Sequence, residues 1–280
     1  MKTATAFRGL SLLFIGITFL IASGTAEASH SWGGYHWART ASPFTLTLGD
    51  NVSGVWDTHL RSVSVDWNTD PAVAFSGSGL AKIINTAVVA GTLNPRTCKA
   101  VAGTVQVCNS NYGNTGWLGI AQIWASGTHI TQGTAKMNDT YFNTAKYNNP
   151  AWRNLVMCQE VAHTFGLDHQ DEVFGNVNLG SCMDYTNAPA GGLLGGFNYG
   201  PTNEHPNFHD FEELGIIYAH LDTTSTARTI APSSAARTAD FTNASEWGKS
   251  IRTSSDGRKS LYVRDLGNGE QVFTFVVWAE

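Results

Sequence analysis

The stretch QEVAHTFGLDH (residues 159–169) decides how the rest of the chain is read. It closes a longer segment, PAWRNLVMCQEVAHTFG (150–166), in which Trp152, Leu155, Val156, Cys158 and Ala162 recur at helical spacing. Pro150 suits the first turn of a helix and Gly166 its end. Residues four apart share a helix face, so Gln159 and His163 present their side chains together. Gly166 tolerates backbone angles costly to other residues, so the chain can turn sharply and return His169 to the same point. Three convergent donors leave a fourth position for water, the arrangement of a catalytic zinc site. Glu160, beside the first donor, can face that water and take its proton.

With Glu160, His163, Gly166 and His169 in place, the stretch resembles the metzincin signature HExxHxxGxxH, with Gln159 where the first histidine belongs. Further on, SCMDYT (181–186) looks like the Met-turn of that clan of zinc endopeptidases, and the joint pattern is far more specific than a QExxH alone. The resemblance implies Gln159, His163 and His169 as metal ligands, Glu160 as general base and Met183 as a hydrophobic floor. Tyr185 matches the Met-x-Tyr spacing of astacins and serralysins, which implies a tyrosine that assists catalysis. It also implies an α/β (α+β) fold over about 43–221. That fold is a metzincin-like catalytic domain: a twisted, mostly parallel five-stranded sheet with an antiparallel edge strand, an active-site helix, a Met-turn and a C-terminal helix. A protein or peptide substrate would lie extended along that edge, WLGIAQIW (117–124). Cys158 adjoins the ligand helix and Cys182 adjoins Met183, so the same resemblance implies a Cys158–Cys182 disulfide.

The most similar groups are matrixin-like and gametolysin-like, and the latter include members with glutamine at the first ligand position. An amide oxygen is a weaker donor than imidazole, so Zn2+ is the expected cofactor at reduced affinity, with Cu2+ as an alternative. The competing expectation is a catalytically inactive metzincin-like secreted binding protein.

Composition sets the context. The chain has 280 residues, 42% hydrophobic and 14% charged, enough for one substantial core. Lys2 and Arg8 precede the apolar run LSLLFIGITFLIA (10–22), and AEA (26–28) follows. This is the pattern of a secretory signal peptide cut after Ala28, and the run is shorter than the ~20 residues a membrane span needs. Removing it takes away two cations and one anion, leaving a slightly acidic chain with no basic stripe. Nucleic acid and membrane are therefore excluded as expected partners, and a monomer is expected. Export makes disulfides available to Cys98, Cys108, Cys158 and Cys182, with three pairings possible. Cys98 and Cys108 flank a local loop and strand.

The expected organisation is a signal peptide at 1–28, a metalloprotease-like domain at 29–222, a Ser/Thr/Ala-rich linker at 223–246 and a β-hairpin appendage at 247–280. PFTLTLGD (43–50), AVAFSG (72–77) and TVQVCNS (104–110) read as strands, and 116–139 reads as a hairpin turning near Ser126. Asp50 or Asn51 is placed to cap a helix running to Trp67, and 208–221 reads as the last helix. His205 and His209 are reserve ligands but read as loop or cap residues, and His59 as a surface residue. His30, His36, His129 and His220 are scattered in sequence and receive no role. Asn51, Asn138 and Asn243 head glycosylation acceptor patterns. The 9 Trp prompt a third class, carbohydrate binding, but many fall at core spacing.

Overall fold

Alternating apolar and β-branched residues build β2 (Phe44–Asn51), a strand inside a mixed sheet. The computed structural model describes residue 1 and residues 30–228 and 241–279; the expected signal peptide beyond residue 1 and half of the expected linker, 229–240, lie outside the described residues. The other strands are β1 (His36–Trp37), β3 (Ile84–Ala90), β4 (Thr104–Ser110), β5 (Trp117–Ser126), β6 (His129–Asn138), the short pair β7 (Leu193–Leu194) and β8 (Phe197–Asn198), and C-terminal β9 (Lys249–Thr253), β10 (Lys259–Gly267) and β11 (Glu270–Trp278). The helices are α1 (Trp56–Trp67), α2 (Pro71–Ala74), α3 (Asp139–Phe142), α4 (Pro150–His163) and α5 (Phe208–Ile217).

The main sheet runs β3-β2-β4-β6-β5-β11-β10-β9, with β1 also paired to β6. Strands β3, β2, β4 and β6 are parallel to one another, and β5 is antiparallel to β6. These five form the expected mostly parallel sheet. The expectation that β5 is its edge is corrected: β11 pairs antiparallel with β5 from Glu270↔Ser126 to Trp278↔Trp117. An unpaired row of backbone donors and acceptors invites a partner strand, and here the chain supplies its own.

Other local readings shift for identifiable reasons. AVAFSG is not a strand, because Asp70 accepts from Ala72 N–H and Pro71 occupies the first turn, which starts α2. Helix α1 begins only at Trp56 and has no side-chain cap; Asp50 instead accepts from Val52 N–H. Helix α4 has Asn149 as its cap, accepting from Trp152 N–H, and Pro150 in the first turn. It packs against α1, β5, β6 and β11, which accounts for burial on nearly every side of its second half.

Strand β5 is covered on both faces. Leu118, Ala121 and Ile123 join the main core with α4, whereas Trp117, Ile120 and Trp124 meet Phe241, Trp247 and Val276 from the C-terminal part. Trp37, Trp56, Trp67, Trp117 and Trp247 are fully buried, so these rings serve packing and not a sugar-binding face. Asn138 is also fully buried and its amide donates to Gly113 O and Trp117 O, so it is no glycan acceptor in the folded chain. Both disulfides, Cys98–Cys108 and Cys158–Cys182, are formed. No helix among the described residues is long and apolar enough to cross a membrane.

Gly166 ends the turn after α4 with φ 105°, and a Cβ there would lie 2.3 Å from Tyr35 O. Left-handed backbone and overlap with a carbonyl both oppose a side chain. Gly166→Ala is expected to lower stability by about 2 kcal/mol or more, read as a lower urea midpoint; an unchanged midpoint contradicts this.

Candidate functional site

The last turns of α4 and the loop beyond it bring His163 and His169 together, Nε2 to Nε2 at 3.0 Å. The loop is held from several directions. Trp37 Nε1 donates to Thr164 O at 2.8 Å, Tyr218 OH donates to Phe165 O at 2.8 Å, and Asp168 N–H donates to His30 O. Residues 170–171 then run beside the turn SCMDYT: Gln170 N–H donates to Met183 O at 2.7 Å, and Tyr185 N–H to Asp171 O at 3.0 Å. The Cys158–Cys182 bond ties that turn to α4.

Each imidazole has its second nitrogen committed. His163 Nδ1 lies 2.8 Å from Leu167 O, and a carbonyl can only accept, so Nδ1 carries the hydrogen. His169 Nδ1 lies 2.7 Å from Glu172 Oε1 and donates likewise. Neutral rings so oriented point two Nε2 lone pairs at each other. Burial first, and then the neighbouring His169, hold His163 far below the usual imidazole range, so a proton does not resolve the conflict there. A hydrogen on His169 Nε2, or a cation between the rings, does. Outer hydrogen bonds from the remote ring nitrogen to a carbonyl or carboxylate are also the habit of metal-bound histidine. Burial opposes ionisation of Glu172, but the hydrogen bond and electrostatic attraction from His169, with the Arg252 charge, outweigh it and hold Glu172 below the usual carboxylate range.

Gln159 and Glu160 precede this pair on α4. Both are buried, and neither Gln159 Oε1 and Nε2 nor either carboxylate oxygen of Glu160 has a hydrogen-bond partner. Leaving such groups unpaired costs about 1–3 kcal/mol each, which is a strong hint of a missing ligand. Glu160 lies directly under β5, where a Cβ on Gly119 would come 2.7 Å from its Oε1. Burial pushes the Glu160 carboxyl well above the usual carboxylate range. Tyr185 packs against the His169 ring with centroids 4.4 Å apart, and its hydroxyl donates to Val276 O at 3.1 Å. Burial, with Glu172 and Glu160 adding to it, pushes its phenol upward.

No protein-family model matches this chain, and no curated protein does. The donor set itself fits a divalent metal: two imidazoles with free lone pairs, and an amide with no other partner. His205 and His209 stay outside it. His205 is ion-paired with Asp66, and His209 with Glu212 in the first turn of α5. His59 is half-buried and lies against Asn154 of α4 instead of being a plain surface residue.

Four contributors, Glu172 among them, escape sequence reading. Phe275 of β11 stacks on His163 with centroids 4.0 Å apart and planes 14° apart. Arg252 of β9 pairs with Asp168 and lies 3.8 Å from Glu172, and Ser255 Oγ donates to Glu172 O at 2.7 Å. Only Glu172 left a trace in the sequence, as the third residue after His169. An open cleft of about 430 Å³ remains beside this group, lined by His30, Asp168, His169, Glu172 and Arg252.

Asp184, between Met183 and Tyr185, gives the site a pH signature. Burial raises its carboxyl to about 6, against the lowering effect of hydrogen bonds from Leu179 N–H and the Asn203 amide. A raised value means that folding favours the protonated form. That contribution is complete below the ordinary carboxylate value and lost as pH rises through about 6. Asp184→Asn cannot ionise, so its stability relative to wild type should increase between about pH 4 and pH 7 in thermal melts. Parallel pH profiles for the two proteins contradict this.

Proposed function

We propose that the chain is a secreted, metal-dependent endopeptidase whose substrate cleft is filled, in the state described, by its own C-terminal strand. The observation that carries this reading is the pair of buried imidazoles, Nε2 to Nε2 at 3.0 Å, at the end of the helix that also carries the unpartnered amide of Gln159 and carboxyl of Glu160. His163, His169 and Gln159 would hold the ion, and the metzincin resemblance of residues 159–169 and 181–186 points the same way. A bound Zn2+, or Cu2+ given the amide donor, would supply polarisation of the scissile carbonyl and acidification of a water. Export accords with the basic and apolar N-terminus, the AEA sequence and the two disulfides.

The chain's own groups divide the work. β5 offers backbone hydrogen bonds to an extended peptide, the role that β11 now plays. Glu160 takes a proton from the attacking water as the new C–O bond forms, and passes it to the nitrogen as the C–N bond breaks. It can do so only when ionised. Removing β11 returns water to the site and lowers the Glu160 carboxyl from its buried, neutral state. The same step releases Tyr185 OH from Val276 O and uncovers His163 from Phe275, so one movement readies three groups.

A second reading, a catalytically inactive binding protein, draws on the burial of Gln159, Glu160, His163, His169 and Tyr185. One assay separates the two. A specific protease site is placed between Arg228 and Phe241, and the zinc-loaded chain is tested on an unfolded protein substrate before and after cutting. Cleavage should be weak before and stronger after, abolished by chelators, and reduced about 10²–10⁴-fold by Glu160→Ala. Bound zinc with no hydrolysis in either form would support the binding-protein reading instead.

A further inference from the structure

A second group of imidazoles, outside the pair on α4, converges on Asp222. Parallel pairing of β1 with β6 sets His36 directly opposite His129. The segment after α5 is drawn alongside by Asp222 N–H donating to Arg39 O at 2.8 Å and by Arg39 N–H donating to Asp222 Oδ2 at 3.0 Å. His220 arrives with it. The His36 ring then lies 5.0 Å from that of His129 and 4.9 Å from that of His220, both edge-on. The three histidines, without a role in the sequence, meet only because β1, the β5–β6 turn and the end of α5 meet.

Their polarity is informative. His36 Nδ1 lies 2.8 Å from Gly34 O and donates to it, so Nε2 bears the lone pair of the neutral ring. That nitrogen is buried and has no hydrogen-bond partner. It faces Asp222 Oδ2 at 3.7 Å, while His129 Nε2 and His220 Nε2 lie 3.1 and 3.5 Å from Oδ1. The donor atoms of His36, His220 and Asp222 all lie within 4.8 Å of one another. Ligand atoms on a tetrahedral zinc with bonds of ~2.0–2.1 Å are roughly 3.4 Å apart, so these separations suit one ion.

We propose that His36, His220 and Asp222 form a second site for zinc or a similar divalent metal, with His129 beside it on the Asp222 carboxylate. Two imidazoles and one carboxylate supply three ligands, and His129, 3.1 Å from Asp222 Oδ1, holds the carboxylate in place. The Gly34 carbonyl accepts from His36 Nδ1 and so fixes the tautomer that leaves Nε2 free for an ion. The ion clamps the N-terminal segment, whose Trp37 and His30 hold the turn between His163 and His169. This site stands whether or not the chain cleaves peptides.

The test is zinc stoichiometry on the full chain after chelation and reloading. Wild type should bind two equivalents, and His220→Ala, at an exposed position, one. Asp222→Asn should lose the same equivalent, and His163→Gln the other one. Tetrahedral cobalt(II) absorption should persist in His163→Gln and vanish when His220→Ala is added. Added zinc should raise the melting temperature of His163→Gln but not of the double variant. If His220→Ala and Asp222→Asn bind as much zinc as wild type, or His163→Gln binds none, the site is an ion-paired histidine cluster and the proposal fails.

Discussion

Two buried imidazoles whose lone pairs face each other across 3.0 Å are the constraint around which this molecule is arranged. Neither ring can turn away. The Leu167 carbonyl fixes one and the Glu172 carboxylate the other, and the loop that supplies Leu167 is tied to the N-terminal segment and to α5. Gly166 makes that loop possible by reversing the chain where Tyr35 O leaves no space for a side chain. The helix, the N-terminal strand and the Met183 turn thus serve one local geometry, and that geometry is one a cation would satisfy.

The C-terminal part is built onto the same place. β11 completes the β5 ladder, Phe275 covers His163, Val276 O engages Tyr185, and Arg252 pairs with Asp168. These contacts shut out water, and exclusion of water changes the chemistry as well as the access. Burial pushes the Glu160 carboxyl upward, so under the proposed function closure by β11 opposes its ionisation.

Much of this was legible because local signals were strong. Pro150 and Gly166 bracket α4, apolar residues between them keep helical spacing, and the alternation through 117–138 gives the β5–β6 hairpin. Spacing also pointed to His163 and His169 as neighbours, and their Nε2 atoms lie 3.0 Å apart. The Asp70–Pro71 capping pair overrode a strand-like composition in α2, and β3 and β9 passed unnoticed as short, partly exposed segments. What was hidden is non-local. The pairing of β11 with β5 joins residues far apart in the chain, and nothing in either strand names the other. The convergence of His36, His129 and His220 on Asp222 is hidden for the same reason.

The central claim is that a metal ion sits between His163 and His169. X-ray absorption at the zinc edge of the zinc-loaded His220→Ala chain isolates that position from the second cluster. The account predicts a first shell of nitrogen and oxygen at ~2.0–2.1 Å with outer scattering from two imidazole rings, lost on His163→Gln. A chain that takes up no zinc, or a spectrum with fewer than two imidazoles and indifferent to His163→Gln, would contradict it.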